Sequence, residues 1–127
     1  MRGLKGERVL MRVLVEERDK FHGKPVYEAI VELLHKRRYA GATVLRGIMG
    51  FGASSHLHAD RVLIPRLDSP IVVECVETEE RIRDILPLLD EMIGGGLITL
   101  ERARVIMYRT NMRPAEHDDA WAIDRGE

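Results

Sequence analysis

At 127 residues, with 45% hydrophobic and 32% charged residues, the chain is long enough for one domain with a buried core and too apolar for a disordered one. A formal net charge of −1 removes the electrostatic case for a nucleic-acid partner, and no apolar run approaches the ~20 residues of a membrane-inserted helix. The single cysteine, Cys75, excludes an internal disulfide framework, and with the charged rather than apolar start after Met1–Arg2–Gly3 it sets the expectation of a cytoplasmic protein.

Residues 8–16, RVLMRVLVE, alternate Val9, Met11, Val13 and Val15 against Leu10, Arg12 and Leu14, which reads as a strand with one strongly apolar face and one half-apolar face. The charged turn RDKFHGKP follows. Pro25 suits the first position of a helix, where its missing N–H costs nothing. Val26, Ala29, Ile30, Leu33 and Leu34 then recur at helical spacing through to Arg38, with Lys36, Arg37 and Arg38 at the negative end of the helix dipole and Gly41 closing the unit. ATVLRGIM (42–49) reads as a second strand and PIVVECVE (70–77) as a third, with Pro70 at its start, where proline is tolerated. Thr78 is placed to cap a second helix, with Glu79 and Glu80 in its first turn and Ile82, Ile85, Leu86 and Leu89 as its apolar stripe. Pro87 predicts a kink or a restart in that helix. Gly94–Gly96 closes it, and LITLERARVIMY (97–108) is the last strand. Residues 1–109 are therefore expected to form one domain. The polar, aperiodic stretch 110–127 reads as a flexible tail, with a short docking helix around Trp121 as the alternative.

The order β-α-β-β-α-β predicts an α+β, ferredoxin-like fold, an antiparallel sheet with two helices on one face. In that topology three loops meet at the sheet edge where the first strand ends: 17–24, 50–68 and 94–96. Gly94, Gly95 and Gly96 can bring backbone N–H groups close to an anion. The first loop adds Arg18, Lys20, His22 and Lys24 beside the start of helix one, a favourable place for phosphate. Phe51, inside Gly50–Phe51–Gly52, is either a base-stacking ring or an anchor for its loop. His56 and His58, with His22 at the same end, offer a zinc or copper alternative. Cys75 shares the face of Ile71 and Val73 and packs as a small hydrophobe. Leu10, Leu14, Val72, Val76 and Ile106 are expected on the face away from the helices, an apolar surface that points to oligomerisation through the sheet.

DKFHGKPVYEAI (19–30), AGATVLRGIMGFGASSHLHADRVL (40–63), SPIVVECVETEE (69–80) and LDEMIGGGLITLERARVIMYR (89–109) resemble the UPF-0166 proteins, the domain-of-unknown-function family 190, over roughly residues 5–109. That family is grouped with the PII-like signalling proteins, ferredoxin-like trimers that bind adenine nucleotides between subunits and control a partner through a long loop after the second strand. The resemblance implies a homotrimer whose regulatory loop has Gly50–Phe51–Gly52 at its base and continues through 53–68. It implies a phosphate-cradling loop at Gly94–Gly96. It also implies an adenine nucleotide ligand (AMP, ADP, ATP or cyclic AMP) and a regulated protein partner such as a membrane transporter. The chain departs from the PII pattern at Leu97, where PII proteins carry a lysine, and it has no tyrosine between Tyr39 and Tyr108 to modify. A nucleotide with fewer phosphates, or another anion, fits the first departure.

Two other classes are set against this regulator. A divalent-metal-binding trimer would use His56 and His58 as ligands. An acylphosphatase-like enzyme would need an arginine-bearing phosphate loop and an asparagine to position water. The only asparagine, Asn111, stands at the edge of the tail, and no base–nucleophile pair occurs at a usable spacing, so no catalytic residue is assigned.

Overall fold

Alternation along the first strand decides which way the sheet faces. In the computed structural model, which describes residues 3–52 and 69–111, β1 (Gly6–Glu16) buries Met11, Val13 and Val15 and leaves Leu10, Arg12 and Leu14 on the opposite side. After a two-stranded ribbon, β2 (Lys20–Phe21) with β3 (Lys24–Pro25), come α1 (Val26–Lys36), β4 (Thr43–Arg46), β5 (Pro70–Glu77), α2 (Glu79–Met92) and β6 (Leu97–Val105). The main sheet has the order β4-β5-β1-β6 with every neighbouring pair antiparallel. β4 therefore runs parallel to β1 and β6 parallel to β5, each joined to it through one helix. This is the ferredoxin-like split arrangement expected from the element order.

The helices cover the face of Met11, Val13, Val15, Ile71, Val73 and Cys75. α1 contributes Val26, Ile30 and Leu34 at four-residue spacing, and α2 contributes Ile82, Ile85 and Leu89, all nearly or fully buried in one cluster. Each such side chain contributes roughly 1.5–3 kcal/mol through burial. Cys75 is buried within that cluster.

Several element ends differ from the sequence expectation, each for a local reason. β1 begins at Gly6 rather than 8, because Gly6 still has a partner in Val105 on β6. α1 stops at Lys36, with Arg37 as its C-cap and Arg38 in the left-handed region at φ 62°. Arg38 N–H donates to His35 O and Tyr39 N–H to Leu34 O, the paired bonds of a Schellman motif, so Arg38 and not Gly41 ends the helix. Pro25 stands one residue ahead of the helix as its N-cap. β4 covers only 43–46 of the expected 42–49. The next rung would face Pro70, which has no N–H to give; Gly47 N–H still donates to Pro70 O at 2.7 Å. α2 runs unbroken from 79 to 92 through Pro87, which is exposed, while Thr78 caps it as expected, its hydroxyl accepting from Arg81 N–H at 3.3 Å. β6 ends at Val105, so Ile106 lies beyond the sheet register. The β6 residues that oppose Leu14 and Leu10 are Leu97 and Glu101. No helix among the described residues is long and apolar enough to cross a membrane.

At the end of the sheet opposite the three loops, Arg81 ties the two helices to β5. Its guanidinium donates to the carbonyls of Arg37 and Arg38, lies 4.0 Å over the Tyr39 ring, and stands 3.8 Å from the fully buried carboxylate of Glu77. Glu77 also accepts from the N–H groups of Ala40 (3.0 Å) and Thr78 (3.1 Å), and Tyr39 donates its hydroxyl to Arg81 O at 2.6 Å. Burial raises the Tyr39 phenol above its ordinary value, with the charge of Arg81 pulling in the opposite direction.

Candidate functional site

β1 delivers the chain to the loop end of the sheet at Glu16, and the register fixes what lies beside it. Glu16 faces Pro70 on β5, and Leu14 faces Leu97 on β6, one residue beyond the glycine triplet. The first loop folds back through a tight turn. Asp19 N–H donates to Glu16 O at 3.0 Å, and the Asp19 carboxylate accepts from Glu16 N–H at 3.0 Å. Asp19 O then accepts from Val26 N–H at 2.8 Å, which sets the start of α1 directly beside the end of β1. The β2–β3 ribbon is the excursion between these two contacts. It was not legible as strands, because two-residue runs carry no periodicity.

These connections enclose a cavity of about 760 Å³. Leu14, Val15, Val26 and Leu97 supply apolar wall; Gly94–Gly96 and Gly50–Phe51–Gly52 border it; Glu16, Asp19 and Lys20 bring charge. The convergence of the three loops expected from topology is therefore present in the described residues. Gly94 and Gly95 have no atom within 4 Å of where a Cβ would stand, so their backbone is open to an approaching group. Gly96 is closed in: a Cβ there would lie 2.6 Å from Leu14 O and 3.2 Å from Val15 Cγ1. Phe51 is 68% exposed at the cavity border, a ring available for stacking. Glycine backbone open to approach, an apolar wall and an exposed aromatic ring thus border one cavity, a combination chemically suited to a group with a flat apolar part and an anionic end.

Of the basic residues singled out in the first loop, Lys20 lines the cavity. His22 and Lys24 are turned to other partners: the His22 ring stacks on Phe21 with centroids 4.1 Å apart, and Lys24 Nζ stands 2.6 Å from Glu32 Oε1 on α1. Arg18 Nε is 3.6 Å from Glu16 Oε1, and Arg46 pairs with Glu17. Glu16 and Asp19 are lining residues that sequence reasoning did not single out. The available signal was positional, since the last residues of β1 and the turn that follows must sit at the loop end of the sheet. His56 and His58 lie outside the described residues. Among those described, no group of three or more His, Cys, Asp or Glu side chains is arranged to hold a metal ion.

The face away from the helices carries Leu10, Leu14, Val72 and Val76, half-buried, with Leu45 and Leu97 more exposed at the two edges. At its centre Arg12 bridges two strands, donating to Glu74 at 2.8 Å and Glu101 at 3.0 Å.

Residues 8–105 match the family model DUF190, described as an uncharacterized conserved family. A UPF0166 protein of Aquifex aeolicus is 37% identical over 99 residues, covering 76% of this chain and 91% of that protein. A UPF0166 protein of Methanocaldococcus jannaschii is 34% identical over 102 residues, covering 80% and 94%. Among solved structures, the chain is similar to the CPII protein of Thiomonas intermedia K12, determined bound to ADP and bicarbonate. The TM-score is 0.50 at 16% identity, covering 81% of this chain and 93% of that one, a likeness of fold. The chain belongs to the DUF190 (UPF0166) family, and its fold is the ferredoxin-like fold of the PII proteins.

Proposed function

We propose that this protein is a non-enzymatic PII-like regulator that binds an adenine nucleotide in the cavity at the loop end of its sheet. In this reading the open sheet faces of three copies pack together and place the cavity at a subunit interface. The 50–68 segment, whose base Gly50–Phe51–Gly52 borders the cavity, carries the signal to a protein partner such as a membrane transporter. Ligand binding acts by favouring one arrangement of that segment through contacts the other arrangement lacks. The observation that carries the reading is the convergence of the glycine triplet, the Gly50–Gly52 segment and the first loop on one cavity. It is supported by a protein of the same fold that has been determined with ADP bound.

Calorimetric titration with AMP, ADP, ATP and cyclic AMP, after co-purified ligand has been stripped, tests it. Saturable binding of at least one nucleotide is expected. Gly95→Trp should abolish it without lowering thermal stability, because nothing within 4 Å opposes a side chain at that position. Unchanged affinity in this variant would move the ligand away from the triplet, and no binding of any of the four would overturn the reading.

A further inference from the structure

We infer that the segment 116–124 seats the Trp121 ring in the groove between α2 and β6 of the same chain. This is independent of the nucleotide reading, since the groove lies toward the end of the sheet opposite the three loops.

α2 packs over β1, so β6, at the edge of the sheet, is left partly uncovered on the helix side. Register sets Leu100 opposite Met11 and Arg102 opposite Val9, which puts both on that side, and Leu100 stays 45% exposed there. With Val9 and Ile82 it gives apolar wall to a groove of about 290 Å³. That volume lies at the lower limit for small-molecule pockets and suits one large side chain better than a cofactor. The carboxylates along the groove are already answered. Glu79 pairs with Arg83 at 2.9 Å, Glu7 with Arg104 at 3.2 Å, and Glu101 with Arg12 at 3.0 Å. Arg102 is exposed and forms no hydrogen bond or ion pair within the described residues. Apolar wall beside an uncommitted guanidinium suits an aromatic side chain flanked by carboxylates.

The sequence that follows β6 supplies one. Residues 116–124 read EHDDAWAID, with Glu116, Asp118, Asp119 and Asp124 acidic and no lysine or arginine between Arg113 and Arg125. The chain also reaches. β6 leaves the sheet at Val105 opposite Gly6, the end at which α2 begins and where Glu7 and Glu79 border the groove. Tyr108 then lies beside Leu10 and Val76, two strand spacings and one layer from the groove, roughly 20 Å. From Asn111 to Trp121 the chain advances ten positions, up to about 33 Å when extended. A segment on so short a tether has an effective concentration on the order of millimolar, so even a weak contact holds it.

The test is tryptophan fluorescence of the intact chain with acrylamide as quencher, Trp121 being the only tryptophan. Its emission should lie at shorter wavelength than that of a free tryptophan amide, and its quenching should be severalfold slower. Leu100→Glu puts a carboxylate in the groove at a position exposed enough to accept it. Both readouts should return to the free values while the far-ultraviolet circular dichroism stays unchanged. Arg102→Glu reverses the uncommitted charge and should move both readouts the same way, and it serves as the second variant should the first fail to fold. Free-amide values in the unmodified protein, or values unchanged in both variants, would overturn the inference. A short-wavelength emission that is lost on dilution would assign the groove to Trp121 of a second copy and overturn the contact within one chain.

Discussion

Gly95 and Gly96 are adjacent, equally small and close to the same cavity, yet their surroundings assign them different roles. Gly96 is a packing requirement, since the carbonyl of Leu14 lies where its Cβ would be. Gly95 faces open space and is spared by the fold. Gly96→Ala should therefore cost about 2–3 kcal/mol in a denaturant titration, because backbone and not a flexible side-chain tip must give way. Gly95→Ala should stay within about 0.5 kcal/mol of the unmodified protein. Equal costs at the two positions would contradict this division. The sequence shows three identical letters here, and only the register of β6 against β1 tells them apart. The same holds for the charged residues of the first loop. Lys20, His22 and Lys24 look alike as a basic cluster, but the β2–β3 ribbon turns only Lys20 to the cavity, leaving His22 on Phe21 and Lys24 with Glu32.

The elements themselves were legible because the two periodicities are strong. Period-two alternation in β1 and β5 and four-residue spacing in α1 fix what faces the core, and the order of elements then fixes which loops meet. What was not legible lay at element ends, where tertiary partners decide. Pro70 closes the β4 ladder from a strand 24 or more residues away in sequence, and the left-handed Arg38 terminates α1 where a glycine would be the usual choice. Pro87 is tolerated inside α2 because it stands on the exposed side of a helix anchored by Ile82, Ile85 and Leu89. The junction around Arg81 is the least legible of all, joining three segments through a guanidinium. Arg81→Ala should destabilise the protein by about 3 kcal/mol, since it removes the cation beside the buried Glu77 and the donor to the end of α1. It should also move Tyr39 ionisation to still higher pH, because Arg81 is the charge that holds it down. An ultraviolet pH titration against Tyr39→Phe reads that shift directly. The raised phenol binds its proton more tightly when folded than unfolded. Its contribution is therefore complete below the ordinary tyrosine value of about 10 and is lost as pH climbs toward the folded value. A Tyr39 transition that fails to move in Arg81→Ala would contradict the cation–ring contact as the source of this effect.

For the whole molecule, the sheet separates two functions. The helix-covered face holds the fold together through one cluster of buried side chains. The open face presents Leu10, Leu14, Val72 and Val76 around Arg12, whose charge is already answered within the chain by Glu74 and Glu101. A face with its central charge paired internally can be covered by another subunit without leaving that charge alone, which is consistent with the proposed trimer. At the loop end of the sheet, strand register, the Asp19 turn and the glycine triplet shape a cavity from three directions, where the proposed ligand would sit. The most direct test is a crystal structure of the protein grown with AMP. The account predicts nucleotide density in the 760 Å³ cavity, with the phosphate against the backbone of Gly94–Gly96 and near Lys20. Density seated instead in the groove between α2 and β6, lined by Val9, Ile82 and Leu100, would contradict it.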